Sequence, residues 1–178
     1  ELSPGNENRG QLVVTSFVFG MGVGTLFVGS LSDAYGRKAV LLMGIVVYVL
    51  ATWLAWRAET LEGLLIARFL QGVCVSAPRI VGVAVIRDIY SGHQMARIMS
   101  FAMMVFSIVP AMAPLIGSII LYLYDWRSIF VSFAVFATFA ATWFAVRQPE
   151  TLPSDARIPF RISELRRAFA ETMQNKMF

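Results

Sequence analysis

Acidic side chains are missing from the long apolar stretches of this sequence. All eleven Asp and Glu residues lie outside them, and the single histidine, His93, sits beside Gly92 in a polar interval. Hydrolysis or metal catalysis within a membrane needs buried carboxylates or imidazoles, and nothing places Ser, His and Asp together in one pocket. These absences argue against an enzyme and against a metal site. The one cysteine, Cys74, lies inside an apolar run and has no intrachain partner, so it reads as a packing residue and leaves the redox compartment open. The chain starts at Glu1 without a basic n-region or cleavage site, so no signal peptide is expected and the chain reads as a fragment. Charge is also scarce, at 15% of 178 residues. The net charge of +4 comes from cations scattered along short loops and a tail, a pattern of membrane topology rather than of nucleic-acid binding.

Apolar residues are abundant. They make up 57% of the chain, and the mean hydropathy is +0.67, far from soluble averages. Uncharged or nearly uncharged runs at about 11–31, 39–56, 64–86, 98–122 and 128–146 are each long enough to cross a bilayer at about 1.5 Å per helical residue. The expected fold is an all-α membrane protein, a polytopic bundle of five transmembrane helices over 1–153, followed by a tail at 154–178. In the tail, Ile162, Leu165, Phe169, Met173 and Met177 recur at helical spacing opposite Arg166, Arg167, Glu171 and Lys176, with Ser163 as N-cap. That pattern suits an amphipathic helix on the inner leaflet, or the start of a following soluble domain. In the first span, Gly20 and Gly24 form a small-residue face that lets another helix approach closely.

The stretch Gly29 to Leu41 is a charged turn between two apolar runs, and it must lie at a membrane surface. Sidedness follows from the cations. With Arg37 and Lys38 inside, the inner segments hold ten (with Arg87, Arg97, Arg147, Arg157, Arg161, Arg166, Arg167 and Lys176), while the outer ones hold only Arg9, Arg57 and Arg127. Indole-bearing Trp53, Trp56 and Trp126 mark the outer headgroup level. An odd number of spans beginning outside implies that at least one earlier helix is absent from this chain.

Two cations interrupt the third run. Arg68 and Arg79 are eleven residues apart, so they fall on nearly one helix face about 16 Å apart, with Gln71, Gly72, Val75, Gly82 and Ile86 on or near it. A guanidinium in hydrocarbon is costly, so this face should line something polar. Arg68 can alternatively snorkel to the outer headgroups, and Gln71 and Gly72 can be packing residues. In the fourth run Pro110 and Pro114 each remove a backbone donor and can kink or loosen the helix.

Three motifs carry a family resemblance. Gly29-x-Leu31-x-Asp33-x-Tyr35-Gly36-Arg37-Lys38-x-x-Leu41 resembles the signature loop between the second and third helices of major facilitator superfamily transporters. Arg68-Phe69-Leu70-Gln71-Gly72 is similar to the fourth-helix motif of that family, and Pro110 to Gly117, with Ala113 and Pro114, to its fifth-helix antiporter motif. Within the superfamily, Arg87-Asp88-Ile89-Tyr90, Met99-Ser100-Phe101, Ala113-Pro114 and Trp126-Arg127-x-x-Phe130 look most like the bicyclomycin-resistance (Bcr/CflA) drug-efflux family. The resemblance implies helices two to six of a twelve-helix proton antiporter of the bacterial inner membrane, an incomplete N-terminal half whose first helix and C-terminal half lie outside this chain.

It further implies an inner gate of Gly29, Asp33, Gly36, Arg37 and Lys38 with Arg87 or Asp88, and coupling by Arg68 beside Gln71 and Gly72. Arg79 rests on its burial in the span alone. Pro110, Ala113, Pro114 and Gly117 would shape the fifth helix beside the substrate cavity. The expected function is proton-coupled efflux of small amphipathic molecules by alternating access, with the proton as coupling ion and no other cofactor. The expected partners are a small-molecule substrate, membrane lipid, and the remaining helices of the same transporter. Alternatives are a metabolite or sugar importer of the superfamily, and a non-transporting membrane scaffold or truncated relative.

Overall fold

The computed structural model describes residues 6–158, and within them the chain forms five long helices and one short 3-10 turn. The helices are α1 (Asn6–Tyr35), α2 (Arg37–Arg57), α3 (Leu61–Ile89), α4 (Gly92–Leu123) and α5 (Arg127–Arg147), with the 3-10 turn at Ser154–Ala156. All five are long and apolar enough to cross a membrane. The amphipathic tail beyond residue 158 and its cations lie outside the described residues.

Every helix runs past the apolar run that predicted it. Backbone hydrogen bonding does not stop at the edge of hydrocarbon, so polar residues at both ends extend each helix by a fraction of a turn or more. The clearest difference concerns the charged turn. Gly29 to Tyr35 is the last part of α1 and Arg37 to Leu41 the first turn of α2, leaving Gly36 as the whole connection. Its φ of +100° is a conformation that side chains on L-residues rarely adopt, which explains a glycine there. The other connections are two or three residues long, at 58–60, 90–91 and 124–126. Thr60 starts α3 by accepting a hydrogen bond from the Gly63 N–H at 3.2 Å.

The centre of the bundle is α3, packed between α1 and α2, with α5 laid against α2. Its contact with α1 is unusually close. The buried stripe of α1 is Gly20, Gly24, Val28 and Ser32, spaced four residues apart. A Cβ on Gly20 would fall on the Phe69 carbonyl, one on Gly24 on the Val73 carbonyl, and one on Gly72 on the Phe17 carbonyl. Here the small-residue face predicted for Gly20 and Gly24 docks on α3, whereas an added Cβ at Gly22 meets nothing. Ser16 Oγ donates to the Leu65 carbonyl at 2.8 Å across the same contact. Without a hydrophobic drive between helices in lipid, this close backbone approach and its dispersion contacts supply the attraction.

Two apolar clusters fill the bundle. Near the Gly36 end, Val28, Leu41, Ile45, Ala77, Val81 and Val85 join α1, α2 and α3, with Ala137, Ala141 and Phe144 of α5 packed on them. Toward the other end, Ala55, Ala67 and Phe130 join α2, α3 and α5. In contrast, α4 has no buried residue and touches only α3 and α5. Pro110 and Pro114 do not break it, and the helix is continuous from Gly92 to Leu123.

Candidate functional site

The end of the bundle at Gly36 is a polar knot around Arg37. The C-termini of α1, α3 and α5 and the N-terminus of α2 meet there. Arg37 forms an ion pair with Asp33, one turn back across the glycine. Its Nε donates to Asp88 Oδ2 of α3 at 3.2 Å, and its Nη1 to Ser32 Oγ at 2.7 Å. The Ser32 hydroxyl in turn donates to the Gly29 carbonyl. One guanidinium thus ties three helices, and a fork of five donors suits that role better than an ammonium would. The Arg37 side chain is only 13% exposed, so these charge-assisted bonds are less screened than ordinary surface pairs.

Glu150, just beyond α5, completes the knot. Gly36 has no side chain to cap α2, and its first turn contains no acid. Glu150 supplies the missing acceptor from 113 residues away: Oε1 accepts the Arg37 N–H at 3.0 Å and Oε2 the Lys38 N–H at 3.2 Å. A carboxylate at a helix N-terminus also meets the positive end of the helix dipole. Lys38 makes the reciprocal contact, its Nζ donating to the Ala145 carbonyl in the last turn of α5 at 2.7 Å. Thr151 Oγ1 donates to Asp88 Oδ2 at 3.2 Å, and the Ile158 N–H donates to the Asp33 carbonyl at 3.1 Å. The segment after α5 is therefore strapped beneath α1, α2 and α3.

Of the gate residues expected from sequence, Asp33, Gly36, Arg37, Lys38 and Asp88 come together. The acid facing Arg37 is Asp88, while Arg87 is exposed and makes no hydrogen bond or ion pair among the described residues. Gly29 lies one turn back on α1, where an added Cβ would meet nothing within 4 Å, so its contribution is the carbonyl alone. Glu150 and Thr151 were not singled out from sequence. The available signal was an acid directly after Pro149, the residue that stops α5.

The α3 residues divide. Arg68 lies toward the opposite end, its guanidinium carbon 4.7 Å from the centre of the Phe130 ring of α5, with its Nε buried and unbonded among the described residues. Its guanidinium is half-buried against that aromatic ring. Gln71 and Gly72, read from sequence as either lining a polar face or packing, are buried. Gln71 Nε2 donates to Thr52 Oγ1 of α2 at 2.7 Å, and Gly72 sits against the α1 backbone. The helical spacing is as expected, but small residues let α1 and α2 close over that part of α3, so packing describes these two better than a cavity lining does. Arg79 is exposed, with no bonded partner among the described residues. On α4, Pro110, Ala113 and Pro114 are exposed and Gly117 half-buried, on a helix that contacts only α3 and α5. No cluster of His, Cys, Asp and Glu suited to a metal occurs among the described residues.

Comparison with known proteins gives this geometry a context. Residues 5–173 match the Major Facilitator Superfamily. The chain belongs to that superfamily. It is therefore an integral protein of the inner-membrane type, in a family of transporters and not of enzymes. Its relatives include the bicyclomycin resistance protein homolog of Haemophilus influenzae, 33% identical over 89% of this chain and 40% of that protein. An uncharacterized MFS-type transporter of Bacillus subtilis, YdgK, is 31% identical over 94% of this chain and 42% of its own length. The multidrug resistance protein MdtL of Vibrio parahaemolyticus is 30% identical over 84% and 38%, respectively. The superfamily chain described here thus spans about 40% of the length of these relatives.

Proposed function

We propose that this chain supplies helices two to six of a proton-coupled transporter that exports small amphipathic molecules by alternating access. The observation that carries this reading is the Arg37 knot, in which one guanidinium and one remote carboxylate lock four helix ends on one side of the bundle. Such a cluster, made of exchangeable hydrogen bonds with Asp33 still 43% exposed, is the kind of contact a second domain can compete for. The Arg37 side is cytoplasmic on the cation count, and the knot is the inner gate. Arg68, the cation held within the bundle, couples proton movement to transport by exchanging a carboxylate partner. That carboxylate belongs to a helix outside this chain, as does the other half of the substrate cavity. The exposed apolar surface of α4 suits lipid and those further helices. The bicyclomycin and multidrug resistance names of the relatives support drug-like cargo.

The test uses the full-length transporter, expressed in a susceptible bacterial host and challenged with a panel of toxic amphipathic compounds. Raised tolerance to at least one compound, abolished by Arg68→Ala at equal membrane abundance, is expected. Collapse of the proton gradient should then raise cellular accumulation of that compound. Accumulation that falls on collapse would mark an importer, and unchanged tolerance with Arg68→Ala would remove the coupling role.

A further inference from the structure

The motif Trp126-Arg127-x-x-Phe130 takes no part in the Arg37 knot, yet it contains the only buried side chain of α5 among the described residues. Phe130 is 4% exposed, whereas Phe133, Phe136, Phe139 and Trp143 of that helix are exposed and Phe144 is half-buried against the other cluster. Its surroundings are built to admit a ring, because α2 and α3 present alanines, Ala55 and Ala67, at the position where it enters. Trp126 meets it nearly edge-on, with ring centres 5.9 Å apart and planes at 79°. The Arg68 guanidinium lies against the same ring, 4.7 Å from its centre.

We infer that Phe130 is a positioning residue for Arg68, a ring that fixes the guanidinium while leaving its N–H donors free for a carboxylate. This rests on the coupling role proposed for Arg68. Stacking occupies the π face of a guanidinium and none of its five N–H groups, which lie in its plane. A hydrogen-bonding neighbour would instead consume donors and compete with the incoming acid. The ring also covers one side of the cation against water, so that the interaction with an arriving carboxylate is made in a drier, less screened site. Trp126 braces the ring from the side, and the Arg68 Nε is buried with no hydrogen-bond partner among the described residues.

Volume and aromaticity can be separated experimentally. In the full-length transporter, Phe130→Leu and Phe130→Met keep an apolar filling, whereas Phe130→Tyr and Phe130→Trp keep a π face. The reaction of Arg68 with phenylglyoxal, followed by peptide mass spectrometry in lipid nanodiscs, reads the cover directly, with Arg79 as internal control. We expect the Leu and Met variants to react about tenfold faster at Arg68, the size of a desolvated cation–π contact, with Arg79 unchanged and the aromatic variants like the parent. For a compound that the transporter exports, Leu and Met should reduce proton-driven export while leaving gradient-free exchange intact. Equal Arg68 reactivity in the aliphatic and aromatic variants overturns the inference, as does a parallel rise at Arg79, which marks general loosening. A selective change in Arg68 reactivity combined with full export by Arg68→Ala would keep the positioning and discard the coupling role.

Discussion

At the residue scale the most informative side chain is Glu150. It caps α2 because Gly36, required by its φ of +100°, cannot do so itself, and the first turn of α2 contains no acid. Removing it leaves two N–H groups at Arg37 and Lys38 without their acceptor and removes a charge from the positive end of the helix. A lost cap costs about 1 kcal/mol, with a further few tenths for the dipole. Glu150→Ala is therefore expected to lower the melting temperature of the detergent-solubilised full-length protein by a few degrees, and Glu150→Gln, which keeps one acceptor oxygen without the charge, by less. Identical melting curves for all three proteins would show that the cap contributes nothing to stability. The sequence contained the acid but not its destination, because a pairing across 113 positions depends on how α5 lies against α2. Arg37 and Asp33 were legible for the opposite reason: they are one turn apart and separated by a glycine.

At the element scale, the existence of the five helices was legible from length and apolarity, but the way they pack was less so. Helices that are apolar on every side give no moment to say which face turns inward. The exception is the α1 and α3 pair, where Gly20 and Gly24 marked the interface in advance and Gly72 completes it from the other side. The same glycines yield a test with a built-in control. Gly72→Ala and Gly24→Ala place a methyl group onto rigid backbone carbonyls, so the helices must separate, and a cost toward the upper end of about 1–3 kcal/mol is expected from overpacking. Gly22→Ala and Gly82→Ala meet open space and gain helix propensity, so they should be neutral or stabilising by up to about 1 kcal/mol. Fluorescence-detected size exclusion of each full-length variant after graded heating separates the two groups. Equal survival would mean that α1 and α3 do not approach as closely as these contacts require. For Gln71 and Gly72 the sequence leaves a polar lining and a packing role both open, because helical spacing reports which residues share a face, not whether a neighbour closes over it.

At the scale of the whole molecule, the bundle is asymmetric along its length. The Arg37 end is joined by ion pairs and capped helix termini drawn from α1, α2, α3 and the segment after α5, whereas the other end is joined by alanines, Phe130 and a stacked arginine. The close α1 and α3 contact favours movement of those helices as one body, and we propose that conformational change in the complete transporter occurs by breaking and remaking contacts at the polar end. Of the three ion-paired residues of the knot Asp33 has the most open side chain, and neutralising it weakens its pairing with Arg37 and whatever it offers to the other half of the transporter. Asp33→Asn is accordingly expected to shift the full-length protein toward the state open on the Arg37 side, which we propose to be cytoplasmic. A single cysteine at position 82, where an added side chain meets nothing within 4 Å, reports that opening in a Cys74→Ala background. Labelling by a membrane-impermeant maleimide should be several-fold faster in inside-out vesicles of Asp33→Asn than in those of the parent, with no matching rise in right-side-out vesicles. The Asp88→Asn variant, which removes the α3 side of the same network, should move in the same direction. If labelling is unchanged in both variants, the knot stabilises the fold without governing access.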